Sequence, residues 1–98
     1  MKDRPHDAAV VDLLRQNPAL AAEYIAAALD EADQQGGTEA LLAALRQVAE
    51  AQGMAQVASR AGIPRESLYR ALSRKGNPTL KTLVPTLHAL GLRLTVSA

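Results

Sequence analysis

The chain has 98 residues, of which 48% are hydrophobic and 2% aromatic, with a formal net charge of +1 and no cysteine. This length fits one domain, or one domain with an appendage, and the lack of cysteine excludes disulfides and thiolate chemistry. Because no apolar run approaches the roughly 20 residues of a membrane span and the first residues are too charged for a signal peptide, we expect a cytoplasmic protein without a membrane partner.

Apolar residues at helical spacing predict a first helix over residues 7–16. Asn17-Pro18 is a typical start for a second helix, which fades at residues 34–37. Thr38 is expected to cap a third helix that ends at Gly53. The amino-terminal part of the chain is therefore predicted to be helical throughout.

Two short helices follow, over residues 55–61 and 65–73, joined at Gly62. After a turn-rich loop, a further helix is predicted to start at Thr79 and to stop at Gly91. The pattern favours an all-α fold, divided into an acidic helical region over residues 1–36 and a second region over residues 37–98.

Residues 92–97 alternate apolar and polar side chains, which predicts a short carboxy-terminal β-strand. A single strand cannot satisfy its own edges, so it needs a partner strand from a symmetry mate or from another protein. A disordered tail is the alternative.

The charges are distributed unevenly along the chain. Residues 1–53 contain four basic and nine acidic side chains, whereas residues 54–98 contain seven basic and one acidic. Chance clustering of solvated charges is one explanation. The other is that a basic module and an acidic module have two different partners.

The stretch GMAQVASRAGIPRESLYRALS, residues 53–73, has the pattern of a helix-turn-helix. Ala58 is small where two helices must approach closely, and Gly62 stands where the turn requires a positive φ. Apolar groups occupy the positions that face a shared core: Val57, Ala61, Ile63, Leu68, Ala71 and Leu72. An ordinary pair of antiparallel helices with a glycine turn is the alternative.

In a helix-turn-helix the second helix lies in the DNA major groove with its first residues toward the base edges. Arginine there donates two hydrogen bonds to guanine, and glutamate accepts one from cytosine or orients an arginine four residues on. The candidates for base contacts are Arg65, Glu66, Ser67, Tyr69 and Arg70. The candidates for contacts to the DNA backbone are Gln56, Arg74, Lys75, Asn77, Thr79 and Lys81.

Three side chains of this region have other interpretations. Tyr69 either touches the DNA backbone or packs against neighbouring leucines, and both options stay open. Arg60 and Arg93 are interpreted as solvated surface charges.

The run from Gly53 to Ala98 resembles the Xre/phage-repressor type of DNA-binding domain, a lambda-repressor-like multi-helix fold. More narrowly, PRESLYRAL, GNPT and ALGLRL, with PHDAAVVDLL and PALAAEYIAAALDEA upstream, resemble the addiction-module antidote family of HigA-like antitoxins. The resemblance implies a dimer that represses its own operon and neutralises a RelE/HigB-like toxin. Three residues depart from the family pattern: Ala55 at an expected cap, Pro64 before the second helix, and Pro85, which should kink the last helix.

The acidic half of the chain, residues 1–53, either packs its apolar side chains against the DNA-binding domain or binds a basic toxin, and the two roles are compatible. The candidate toxin contacts are Leu20, Glu23, Tyr24, Asp30 and Glu31. His6 and His88 lack the spacing of metal ligands and no serine has a base nearby in sequence, so we expect no metal, no cofactor and no enzymatic activity. A stand-alone phage-type regulator and a helical interaction module that never binds DNA are the alternative functions.

Overall fold

The computed structural model describes the backbone of residues 4–98 and the side chains of residues 7–98. Within this range the chain forms six α-helices. They are α1 (Arg4–Gln16), α2 (Leu20–Asp30), α3 (Gly37–Gln52), α4 (Met54–Ala61), α5 (Arg65–Ala71) and α6 (Leu80–Ala89). No helix in the described part of the chain is both long enough and apolar enough to cross a membrane.

The longest helix, α3, is the centre of the fold. Helices α1 and α2, which precede α3 in the chain, both pack against it, and α4 packs against α3, α5 and α6. One apolar core runs through the described chain from Leu14 to Leu90, with Leu45 and Val48 almost fully buried on α3. Both predicted regions contribute to this core, and their division at residues 36 and 37 stays a prediction.

Two predicted helix starts are wrong. Helix α3 begins at Gly37 with Gly36 as its N-cap, so Thr38 already lies inside the first turn. Helix α2 begins at Leu20, and the Asn17 side chain donates to the Leu13 carbonyl oxygen at 3.2 Å, which satisfies the end of α1 rather than the start of α2. The sequence predicted a boundary between helices at each place, but neither Asn17 nor Thr38 is the N-cap of the helix that follows.

The end of α6 agrees with the sequence. Gly91 adopts φ +86°, and the two hydrogen bonds of a Schellman motif close the helix. The Gly91 N–H donates to the His88 carbonyl at 3.0 Å, and the Leu92 N–H donates to the Leu87 carbonyl at 2.8 Å. Pro85 lies inside α6, and the kink expected there stays a prediction.

The predicted carboxy-terminal β-strand is wrong. Residues 92–98 form no regular structure, and no strand is found anywhere between residues 4 and 98. The alternating pattern alone cannot make a strand, because every other described element is helical and none offers a free strand edge. The segment instead turns back toward α2, where Leu92 and Leu94 line a shared groove. The all-α class remains the description that fits.

Candidate nucleic-acid interface and acidic face

A left-handed glycine sets the turn between α4 and α5. Gly62 has φ +74°, and no atom lies within 4 Å of the place a Cβ would occupy, so conformation rather than crowding favours glycine here. The Gly62 N–H donates to the Ser59 carbonyl at 3.2 Å, and the Ile63 N–H donates to the Ala58 carbonyl at 3.0 Å. The predicted glycine turn is confirmed in this geometry.

The two short helices are held by their buried faces. Val57 on α4 and Leu68 on α5 are completely buried, and Ala58 and Leu72 are almost so. Helices of seven and eight residues are too short to be stable alone, so this packing keeps them folded. The orientation of the outer face of α5 is therefore determined by the core beneath it.

The start of α4 differs from the sequence prediction. Helix α4 starts at Met54 with Gly53 as the N-cap, so Ala55 is the second residue of the helix, and the expected loss of a cap at Ala55 is wrong. Pro64 is the N-cap of α5, with extended backbone angles of φ −63° and ψ 145°. Its missing N–H costs nothing there, and its carbonyl oxygen accepts from the Leu68 N–H at 3.1 Å.

The side chains predicted to contact DNA lie on α4, α5, the loop after α5 and the start of α6. Ser67 is half-buried, and the others are exposed: Gln56, Arg65, Glu66, Tyr69, Arg70, Arg74, Lys75, Asn77, Thr79 and Lys81. The guanidinium carbon of Arg65 lies 5.5 Å from the centre of the Tyr69 ring, and an Arg70 Nη atom lies 3.5 Å from the Ser67 hydroxyl. Helix α5 therefore presents two arginines from one short segment.

The basic side chains of this surface have no carboxylate partner among residues 7–98. In that range the salt bridge found is between Arg15 and Asp12, at 3.1 Å on exposed α1. Glu66 and Arg70, four residues apart on α5, do not form the ion pair that their spacing permits, and Arg70 lies near Ser67 instead. The positive charge of α5 and of the following loop is thus not neutralised locally.

Three polar side chains hold this region together by binding helix carboxyl ends. Arg46 on α3 donates from Nη1 to the Leu72 carbonyl at 2.9 Å, just after α5 ends. Arg60 donates to the Ala89 carbonyl at 2.8 Å, and Gln52 donates to the Leu90 carbonyl at 3.0 Å, both at the end of α6. Cations are favourable at helix carboxyl ends, which carry partial negative charge.

The sequence did not predict these contacts. No local sequence signal marks them, because each joins residues at least 26 positions apart. Arg60 is exposed, as expected for a surface charge, but its side chain also binds the end of α6.

On the acidic side, a buried hydrogen-bonded chain links the first three helices. Gln47 of α3 is 4% exposed; its amide accepts from the Tyr24 hydroxyl and donates to the Asp7 carboxylate. Burial raises the pKa of Tyr24, and the nearby negative charge of Asp7 raises it further. Tyr24, a candidate toxin contact, thus has its hydroxyl engaged inside the protein.

The other candidate toxin contacts, Leu20, Glu23, Asp30 and Glu31, are exposed on or directly after α2. Beside them is an open groove of about 600 Å³ between α2 and the carboxy-terminal segment. Ile25 and Leu29 line its α2 side, and Leu94 lines the opposite side. Among the described residues no group of three or more histidine, cysteine or acidic side chains is placed to hold a metal ion, and the His6 side chain lies outside them.

These features define a small all-helical protein. Its exposed cations on α5 and just after it have no carboxylate partner among the described residues, and exposed acidic side chains lie on α2. Residues 6–98 match the model of the family described as probable addiction module antidote protein, and the chain belongs to this family. It is also 45% identical over 74 residues to an uncharacterized protein of Haemophilus influenzae (strain ATCC 51907 / DSM 11121 / KW20 / Rd), a match covering 76% of each chain. No solved structure matches significantly. An antidote implies a toxin as partner.

Proposed function

We propose that this protein is the antitoxin of a type II toxin–antitoxin module, acting in the cytoplasm. It binds and neutralises a RelE/HigB-like toxin, and as a dimer it binds operator DNA to repress its own operon. The observation that carries the DNA-binding part is the outer face of α5, where Arg65 and Arg70 are exposed on a helix fixed from below by buried Leu68.

On this proposal α5 enters the major groove, as the second helix of a helix-turn-helix does. Arg65, at the first position of α5, approaches the base edges first, and Arg70 follows one turn later. Each arginine can donate two hydrogen bonds to guanine O6 and N7. Ser67 is half-buried and near Arg70, so we assign it to orienting that arginine.

The loop after α5 is assigned to the phosphates. Arg74, Lys75 and Asn77 are exposed between α5 and α6, and Lys81 is exposed in the first turn of α6. Cationic side chains in this position fix the register of a protein on the duplex without reading its sequence. In a dimer, the two copies of α5 would read half-sites about 34 Å apart.

The direct test is a gel shift with the DNA upstream of the protein's own gene, in the presence of excess unrelated DNA. We expect a sequence-specific shift that weakens strongly as salt rises, because phosphate contacts release counterions. A shift that unrelated DNA abolishes at moderate salt would overturn the operator assignment.

The toxin-binding part is supported by family membership and by the acidic surface of α2. Glu23 and Asp30 are exposed on α2, and Glu31 directly follows it. We expect co-purification with the product of the adjacent reading frame and loss of that complex in Asp30→Lys. Glu39→Lys, which places the same charge change at the start of α3, is the matched control. A complex that survives Asp30→Lys would place the toxin elsewhere, and the absence of a toxin gene nearby would favour a stand-alone regulator.

A further inference from the structure

Arg65 and Tyr69 contact each other on α5. This contact is not explained by assigning each of the two side chains to DNA on its own. They stand four positions apart on α5, the spacing that brings side chains together on one helix face. The Arg65 guanidinium lies over the Tyr69 ring at 5.5 Å from its centre, within the roughly 6 Å range of a cation–π contact. The arginine at the start of α5 is therefore already held before any DNA arrives.

The other side of the Tyr69 ring faces an open cleft. It lines a cleft between α5 and α3, where Ala43 and Arg46 form the opposite wall. Arg46 is tied to the carboxyl end of α5 through the Leu72 carbonyl, which fixes that wall relative to the helix. Tyr69 remains 38% exposed, so part of the ring is available to Arg65. The ring that Arg65 contacts therefore belongs to a helix whose carboxyl end is bound to α3.

A guanidinium over an aromatic ring uses its planar face for that contact and keeps its N–H donors at its edge. Those edge donors are the groups that recognise guanine O6 and N7 in a bidentate manner. Holding the side chain in advance reduces the rotamer freedom that must be lost on binding. The stacking therefore favours base recognition instead of competing with it.

From this geometry we infer that Tyr69 is a positioning residue that holds Arg65 for guanine recognition and so determines operator specificity. The inference rests on the proposed DNA-binding function. It assigns Tyr69 a role through its ring, whereas a phosphate contact would use its hydroxyl. The two roles predict opposite outcomes for the removal of that hydroxyl.

The test compares Tyr69→Leu with Tyr69→Phe in the full-length protein. Affinity is measured for the DNA upstream of the gene and for scrambled DNA of equal length at one salt concentration. Leucine removes the ring but is a strong helix former, so α5 should stay folded, and thermal unfolding checks this. We expect the ratio of specific to non-specific affinity to fall about three- to fivefold in Tyr69→Leu and to stay unchanged in Tyr69→Phe.

The Arg65→Ala background supplies a second readout. If Tyr69 acts through Arg65, the double variant Arg65→Ala with Tyr69→Leu should have the same ratio of specific to non-specific affinity as Arg65→Ala alone. An equal further loss in that background would overturn the inference. So would a Tyr69→Phe variant as impaired as Tyr69→Leu, since the hydroxyl would then be the working group.

A measurement without DNA separates this inference from the proposed function. In the free protein the Arg65 side-chain protons should show upfield ring-current shifts in NMR spectra, and Tyr69→Leu should abolish them. If the wild-type protein fails to distinguish its upstream DNA from scrambled DNA, the proposed function fails and the specificity role fails with it, although the stacking itself is still seen. If the wild type distinguishes the DNAs and Tyr69→Leu retains the full ratio, only this inference is overturned.

Discussion

The acidic and basic halves use their polar side chains in different ways. In the acidic half, residues 1–53, Asp7 and Tyr24 are joined through buried Gln47, so these polar side chains hold α1, α2 and α3 together. In the basic half, residues 54–98, Arg60 of α4 binds the carboxyl end of α6, and Arg46 reaches over from α3 to bind that of α5. Arg65 and the cations after α5 have no carboxylate partner among the described residues. Some charges of this protein thus stabilise the fold itself, whereas those on and after α5 stay at the surface without a carboxylate partner among the described residues.

The largest expected effect comes from removing the support beneath the basic helix. Leu68 is fully buried under α5, so Leu68→Ala should lower the free energy of unfolding by about 3 kcal/mol and weaken DNA binding through loss of structure. Leu80→Ala is the matched control, because Leu80 is 70% exposed and its truncation should cost less than about 0.5 kcal/mol. Equal losses in urea denaturation would contradict this view of the core.

The next effect tests whether the acidic half is held by its buried polar chain. Gln47→Ala leaves the Tyr24 hydroxyl and the Asp7 carboxylate without this partner, and we expect a loss of about 2 kcal/mol of stability. Gln35→Ala in the exposed turn before α3 is the control and should be nearly neutral. Because the Gln47 side chain bonds to α1 and α2 and not to α5, the ratio of specific to non-specific DNA affinity should stay the same at a temperature where both proteins are folded.

A smaller effect should distinguish structural arginines from free ones. Arg60→Met retains the aliphatic stem but removes the donor to the Ala89 carbonyl, and we expect a loss of about 1 kcal/mol in chemical denaturation. Arg74→Met in the exposed loop should leave stability within about 0.5 kcal/mol of wild type while weakening DNA binding. The reverse pattern would exchange the roles assigned to these two arginines.

The smallest effect concerns pH. The pKa of Tyr24 is raised above its ordinary value of 10.0 by burial and by Asp7, so the folded state keeps the phenol proton at pH values where the unfolded chain releases it. The stability contributed by the neutral phenol is complete below pH 10 and is lost as pH rises above that value through the folded pKa. Tyr24→Phe should flatten this part of the stability profile, as measured by chemical denaturation at a series of pH values from about 9 upward.

Local sequence signals anticipated the parts of the fold that depend on local conformation. The positive φ of Gly62 and Gly91 and the helical spacing of buried leucines were readable, because glycine and periodicity act within a few residues. The start of α3 was misplaced because Gly36, rather than Thr38, is the N-cap. The carboxy-terminal strand failed for a different reason: alternation fits a strand, but a strand requires a neighbour that the described chain does not offer.

The sequence predicted which residues belong to the candidate site, but not which side chains contact one another there. The exposed positions of α5 followed from the helical period once Leu68 and Leu72 were placed in the core. The Arg46 and Arg60 contacts bridge distant segments, so no pattern along the chain announces them. Arg65 and Tyr69 have the spacing of a side-chain contact on one helix face, yet the rotamers of the two side chains decide whether such a pair meets.

The central claim is that the unpaired cations of α5 read DNA, and one binding experiment tests it most directly. Fluorescence anisotropy with labelled upstream DNA would compare wild type, the double variant Arg65→Ala with Arg70→Ala, and Arg15→Ala, which removes an exposed arginine from the acidic half. We predict that the double variant loses about 100-fold in specific affinity with its thermal unfolding unchanged, while Arg15→Ala binds like wild type. Equal specific affinity for the double variant and wild type would contradict the claim.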